Sequence, residues 1–189
     1  MGLKYETQND LLLKNLMKFY NRNGNLDRII KIINGQSELS IRIIDWFVTN
    51  YSKKNFVKYP IERSGRTLNF KVYIDYKLKL KAYSKKRFDP FCRWDRITIP
   101  YSDTEMVQTT IGQLNFFKWA LENKIIDYIQ NNKQMIEDDM NRCNTLSKKN
   151  KDGSTSGGNN KTRKKREELS VSAIKSIKKE NIEIVMKFN

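Results

Sequence analysis

The sequence predicts an α+β fold, and three observations carry that prediction. Leu68 to Ala82 alternates strictly, with Leu68, Phe70, Val72, Ile74, Tyr76, Leu78, Leu80 and Ala82 on one face and mostly Lys on the other. A period of two over such a run is the pattern of a half-buried strand. Before it, apolar residues recur every three or four positions, which is helical spacing. After it, Ser102-x-x-Glu105 has the form of a capping box, and Val107, Ile111, Leu114, Phe117, Leu121 and Ile125 continue at helical spacing.

Taken in order, Thr7 to Tyr20 reads as a helix through Leu11, Leu12, Leu16 and Phe19, capped by Asn9 or Asp10. Asn21 to Asn25 is a turn signal, and Leu26 to Ile33 is a short helix stopped at Asn34-Gly35. Ser37 caps a helix to Tyr51 whose buried stripe is Ile41, Ile44, Phe47, Val48 and Tyr51. Ser52 to Thr67 is irregular, with Val57 and Ile61 in a short strand. The run 68–82 is a long bent strand or a hairpin turning near 73–75, and Arg96 to Tyr101 is its partner. The capping box then opens a long helix to about Asp138, weakest at Gly112, although Ile111-Gly112 allows a later start. From Asn141 the pattern dissolves. The expected organisation is a single domain over 1–140, a disordered basic linker over 141–166, and a C-terminal helix and strand element over 167–189. Within that element, Ile182, Ile184, Met186 and Phe188 return to the sheet.

Composition narrows the chemistry. The chain has 189 residues and a net charge of +16, from 37 basic and 21 acidic side chains. A clustered excess of this size points to a polyanionic partner: nucleic acid, an anionic membrane surface or an acidic protein. There is no histidine, which removes His-based acid/base catalysis, Ser-His and Cys-His nucleophiles and the commonest zinc ligand. Cys92 and Cys143 match no metal-binding spacing and read as two separate thiols, so neither a metal nor a cofactor is expected. Met1 to Lys14 is charged and amphipathic rather than a signal peptide, and no apolar run reaches the length of a membrane span. The expectation is therefore a protein that is not secreted.

The cations concentrate in two places. Lys77, Lys79, Lys81, Lys85, Lys86, Arg87, Arg93 and Arg96 stand against only Asp89 and Asp95, and Tyr83, Phe88, Phe91 and Trp94 are interleaved. Nucleic-acid grooves use this composition: cations meet phosphates, and aromatic faces receive unstacked bases. In the alternative, Phe88, Phe91 and Trp94 plug a loop into the core and the cations are solvated. The Asp89-Pro90 step makes the segment a shaped loop. The second cluster, Lys161, Arg163, Lys164, Lys165 and Arg166, is a basic tail of low specificity that reads as a nuclear-import signal, a phosphate-binding tail or neither. Catalysis has one remaining route, a metal nuclease built from Asp75, Asp89, Asp95 and Lys85, with no recognised spacing behind it.

Two segments, Ile43 to Lys54 (IIDWFVTNYSKK) and Tyr76 to Arg93 (YKLKLKAYSKKRFDPFCR), resemble an uncharacterised protein family of nucleocytoplasmic large DNA viruses. The resemblance covers Ser40 to Gln130. It implies a viral setting, in the virion or the infected-cell cytoplasm or nucleus, and carries over no catalytic residue. Together these readings lead to a non-enzymatic basic viral protein. It binds DNA or RNA mainly through phosphates, at Lys77 to Arg96 with Phe91 and Trp94 receiving bases. The alternative is a minor capsid or assembly scaffold that docks an acidic protein, other virion proteins among its partners, on Phe91 and Trp94.

Overall fold

The computed structural model describes residues 7–63, 65–102, 105–152 and 179–181. Helices and two small antiparallel sheets share one core, an α+β arrangement. α1 (Gln8–Tyr20) is capped by Thr7, not by Asn9 or Asp10. The Thr7 hydroxyl accepts from the Asp10 amide while the Asp10 carboxylate accepts from the Thr7 amide, a reciprocal pairing of two groups that a helix end otherwise leaves open. α2 (Asn25–Ile33) buries Leu26, Ile29, Ile30 and Ile33 as its spacing predicts. The next helix begins at Ile41, because Ser40 rather than Ser37 caps it. It runs as α3 (Ile41–Trp46), a π-helical turn (Phe47–Tyr51) and α4 (Ser52–Lys54).

β1 (Lys58–Arg63) and β2 (Arg66–Lys71) then form a hairpin, with Ile61 opposite Leu68. The alternating run does not continue as a strand. It becomes α5 (Val72–Arg87), broken at Ser84. The reason lies in the residue types: beyond Tyr76 the run is Leu, Lys and Ala, strong helix formers, and beyond Ile74 no β-branched side chain favours extension. β3 (Arg96–Pro100) therefore pairs not with 68–82 but with β4 (Glu105–Thr110), and β5 (Lys179–Asn181) pairs with the outer edge of β4. The Ser102 hydroxyl does accept the Glu105 amide, as a capping box requires. Here that bond closes the β3–β4 hairpin instead of opening a helix.

The expected long helix is thus three: α6 (Ile111–Glu122), α7 (Ile125–Asn131) and α8 (Lys133–Asp152). The break between α6 and α7 falls at Lys124, whose φ is 55°. α8 carries helix through 141–152, where a disordered linker is expected. No glycine or proline interrupts the chain there until Gly153. Residues 153–178 and 182–189, including the basic tail Lys161 to Arg166, lie outside the described residues.

α6 is the centre of the core. Ile111, Leu114, Phe116, Phe117, Trp119 and Ala120 are all buried, so the helix is covered on every side, by α1, α5, α7 and β4 among others. Phe116 and Trp119 join Phe88 in an aromatic cluster, with ring centroids of Phe88 5.5 Å from each. Tyr76 packs beside them, and burial pushes its hydroxyl up to about 12, so it stays neutral.

Candidate functional site

α5 carries its charge differently from a strand. Residues two apart lie on opposite sides of a helix, about 200° around the axis at 3.6 residues per turn. The alternation therefore splits into two stripes: Val72, Tyr76 and Leu80 face the core, and Ile74, Leu78 and Ala82 face out. The expected ladder Lys77, Lys79, Lys81 is split as well. Lys77 and Lys81 stand together beside Ile74 and Leu78, and Lys79 is half-buried on another side.

Ser84 then turns the chain. Its backbone, at φ 61° and ψ 164°, lies in a region that side-chain-bearing residues rarely adopt. The break lets Lys85 to Trp94 fold back over the first turn of α6. That turn presents polar groups to the loop backbone. Gln113 donates from Nε2 to the Pro90 carbonyl at 3.1 Å, and Asn115 from Nδ2 to the Arg87 carbonyl at 2.9 Å. The Asp89 amide donates to the Gly112 carbonyl at 3.2 Å. Gly112 is where the two chains touch: a Cβ there would lie 2.8 Å from the Lys86 carbonyl oxygen and 3.0 Å from Cys92 Cβ. Only glycine allows this approach. Phe88 seats the loop in the core, Cys92 is buried with its thiol donating to the Lys86 carbonyl, and Cys143 is not joined to it.

The loop holds out a cleft of about 690 Å³. Lys85, Lys86, Phe91, Arg93 and Trp94 line it, with Asp45 and Asp89. The expected alternatives for the aromatics thus divide. Phe88 plugs the core, Phe91 is half-buried, and Trp94 stands 71% exposed. Lys85 pairs with Asp89 at 3.5 Å and Lys86 with Asp95 at 2.8 Å, while among the described residues no carboxylate pairs with Arg93. The Lys86–Asp95 pair is exposed on both sides and holds its lysine only weakly, whereas Lys85 is exposed but its partner Asp89 is largely covered.

The remaining expected site residues go elsewhere. Arg87 donates to Asn9 and Gln8 of α1, and Arg96 to Gln108 across the β3–β4 hairpin. The nuclease set does not assemble. Trp119 Nε1 donates to Asp75 at 2.6 Å, Asp89 accepts from the Phe91 amide, and Asp95 pairs with Lys86. Among the described residues no three acidic or cysteine side chains gather as a metal site. Sequence reasoning missed Gln113 and Asn115, although two polar residues inside IGQLNFFKWAL were the visible signal.

Across residues 3–187 the chain matches a family of unknown function, DUF7197. The chain belongs to this family. It is also 45% identical over 133 residues to uncharacterized protein L507 of Acanthamoeba polyphaga mimivirus, across 68% of this chain and 51% of the relative. The chain thus spans about half the length of that curated relative, and the family is one with a giant-virus member. The alignment to residues 3–187 reaches well beyond the stretch 40–130 that carries the resemblance in sequence. No solved structure matches the chain. Among the described residues no helix is long and apolar enough to cross a membrane.

Proposed function

We propose that this viral protein binds single-stranded nucleic acid across the 85–94 cleft. Lys85, Lys86 and Arg93 meet successive phosphates, and one base stacks on Trp94. The observation that supports this reading is Trp94 itself, 71% exposed at the lip of a cationic cleft on a loop pinned to the core. A large aromatic left in water beside cations is the arrangement that single-strand binders use, and stacking contributes about 1–3 kcal/mol per base. The net charge of +16 adds non-specific attraction to any polyanion. The reading requires no catalytic step.

Fluorescence anisotropy with a labelled oligonucleotide tests it. Trp94→Ala is expected to weaken binding by roughly 5- to 100-fold at constant salt. Arg93→Gln is expected to lower the slope of log affinity against log salt by about 0.7. Absence of any binding at low salt removes the proposal. The second reading, a capsid or assembly factor, draws on Phe91 and Trp94, which line the same cleft, as anchors. Capture of a virion protein that survives nuclease treatment, and is lost in Trp94→Ala, favours it. In either case the protein acts in the virion or the infected cell, and fractionation of purified virions into shell and genome checks this.

A further inference from the structure

We propose that the outward stripe of α5 is a docking groove for an acidic amphipathic helix of a partner protein. The groove lies between α4, β1 and α5 and shares no lining residue with the 85–94 cleft. Its floor is apolar. Ile74 and Leu78 are 54% and 60% exposed, one helical turn apart, and Phe56 rises at one end with 86% of its surface in water. A cavity of about 460 Å³ opens between Phe56, Val57, Tyr73 and Ile74, and a second lies along Ile74 to Leu80.

The backbone adds an independent sign. Phe56 has φ 48°, the left-handed conformation at the position after a helix where glycine is usual. The helix-end bond from the Val57 amide to the Ser52 carbonyl, at 3.1 Å, shows the turn to be fully formed. A bulky aromatic in that conformation is strained, and an aromatic in water is unfavourable. Both costs fall on one residue, which is the signature of a side chain kept for binding.

The rim decides the occupant. It consists of Lys53, Lys58, Lys71, Lys77 and Lys81, with no acidic side chain lining either cavity. A second copy of this chain would bring the same lysines against these and be repelled. A bilayer offers a flat surface to a concave one. Nucleic acid finds one exposed ring, Phe56, at the end of the groove, but the floor beyond it is aliphatic Ile74 and Leu78, which offer successive bases no stacking face. A helix with apolar residues at i, i+3, i+4 and i+7 and carboxylates on either side meets every feature: its stripe follows Ile74 and Leu78, and its acids reach the lysines.

The test uses the full chain and a fluorescein-labelled synthetic peptide of about 18 residues, five helical turns, built from Leu in that spacing and Glu elsewhere. A scrambled peptide of equal composition is the control. The striped peptide is expected to bind at least about tenfold more tightly than the scrambled one. The doubly substituted Ile74→Ser/Leu78→Ser protein is expected to lose that preference while binding oligonucleotide as before. Phe56→Gly, at a position where glycine relieves the backbone, should also lose it without any fall in Tm, so lost binding cannot be lost folding. Equal binding of the two peptides, or no binding of either, overturns the proposal. So does preferential binding of phosphatidylserine vesicles, or a dimer that Ile74→Ser dissolves, since these assign the groove to a lipid surface or to a second copy.

Discussion

Gly112 is the residue on which the cleft depends most directly. A methyl group there would press on the Lys86 carbonyl at 2.8 Å, and backbone cannot swing aside as a side chain can. Gly112→Ala is expected to cost about 1–3 kcal/mol in urea denaturation and to shift the emission of Trp94 as the loop is displaced. Phe56 lies at the opposite extreme. Replacing it by glycine removes about 1–2 kcal/mol of left-handed strain against about 0.5–1 kcal/mol of added chain entropy. A gain of about 0–1.5 kcal/mol in denaturation is the expected outcome. A third residue sets an acid limit. Asp139, only 7% exposed, accepts from Lys54 at 2.5 Å, Arg142 at 3.0 Å and Trp46 Nε1 at 3.4 Å. The Lys54 ammonium, with Arg142 and Trp46, holds its carboxyl below the usual range against the opposing effect of burial. A lowered folded pKa means the stabilisation is complete above the unfolded value near about 4 and is lost as pH falls through the folded one. Asp139→Asn is expected to cost about 1.5–3 kcal/mol at neutral pH. The difference from the native chain should shrink in melts taken below about pH 4.

At the level of single elements, α5 shows what periodicity can and cannot decide. Val72 to Ala82 satisfies two patterns at once, alternation for a strand and i, i+4 spacing for a helix, and the surrounding structure selects the second. The two readings make opposite claims about neighbouring positions. A strand puts Val72 and Ile74 on the same buried face, whereas the helix buries Val72 and leaves Ile74 outside. Val72→Ala is expected to cost about 1–3 kcal/mol and Ile74→Ala less than about 0.5 kcal/mol, measured by thermal unfolding. α2, the buried stripe of 41–48 and the strand at 96–100 were legible because each has one pattern and one set of breakers. The Ser102-x-x-Glu105 signal was ambiguous for a local reason. The same hydroxyl-to-amide bond closes a tight hairpin as readily as it caps a helix, and Thr110, whose hydroxyl accepts the Gln113 amide at 3.1 Å, proved to be the cap. For the candidate site, residue types pointed to the loop, but not to which aromatic would face in. That is set by α6, whose buried polar side chains hold the loop through backbone carbonyls, contacts that leave no mark on the loop's own sequence.

For the whole molecule the controlling quantity is charge. With +16 over 189 residues, the folded chain repels itself, and eight of its 37 cations line the cleft and the groove. Screening acts within about 10 Å at 0.1 M salt. Added sodium chloride is therefore expected to raise Tm while it weakens oligonucleotide binding, and a differential scan and a binding titration in the same buffers check both signs. On the two proposals taken together, one chain holds a nucleic acid at the cleft and an acidic protein at the groove, each on its own set of lysines.

The doubled pattern of α5 has one more consequence, for how the chain misfolds. Before α6 is in place to cover Val72, Tyr76 and Leu80, residues 72–82 are a ready-made amphipathic strand capable of stacking with copies of itself into cross-β aggregates. Lys71, Lys77, Lys79 and Lys81 guard against this, since in-register stacking would pile like charges a few ångströms apart. The guard is electrostatic, so a polyanion that neutralises it removes it. Refolding in the presence of contaminating nucleic acid or heparin should yield aggregate, and refolding of the stripped chain should not.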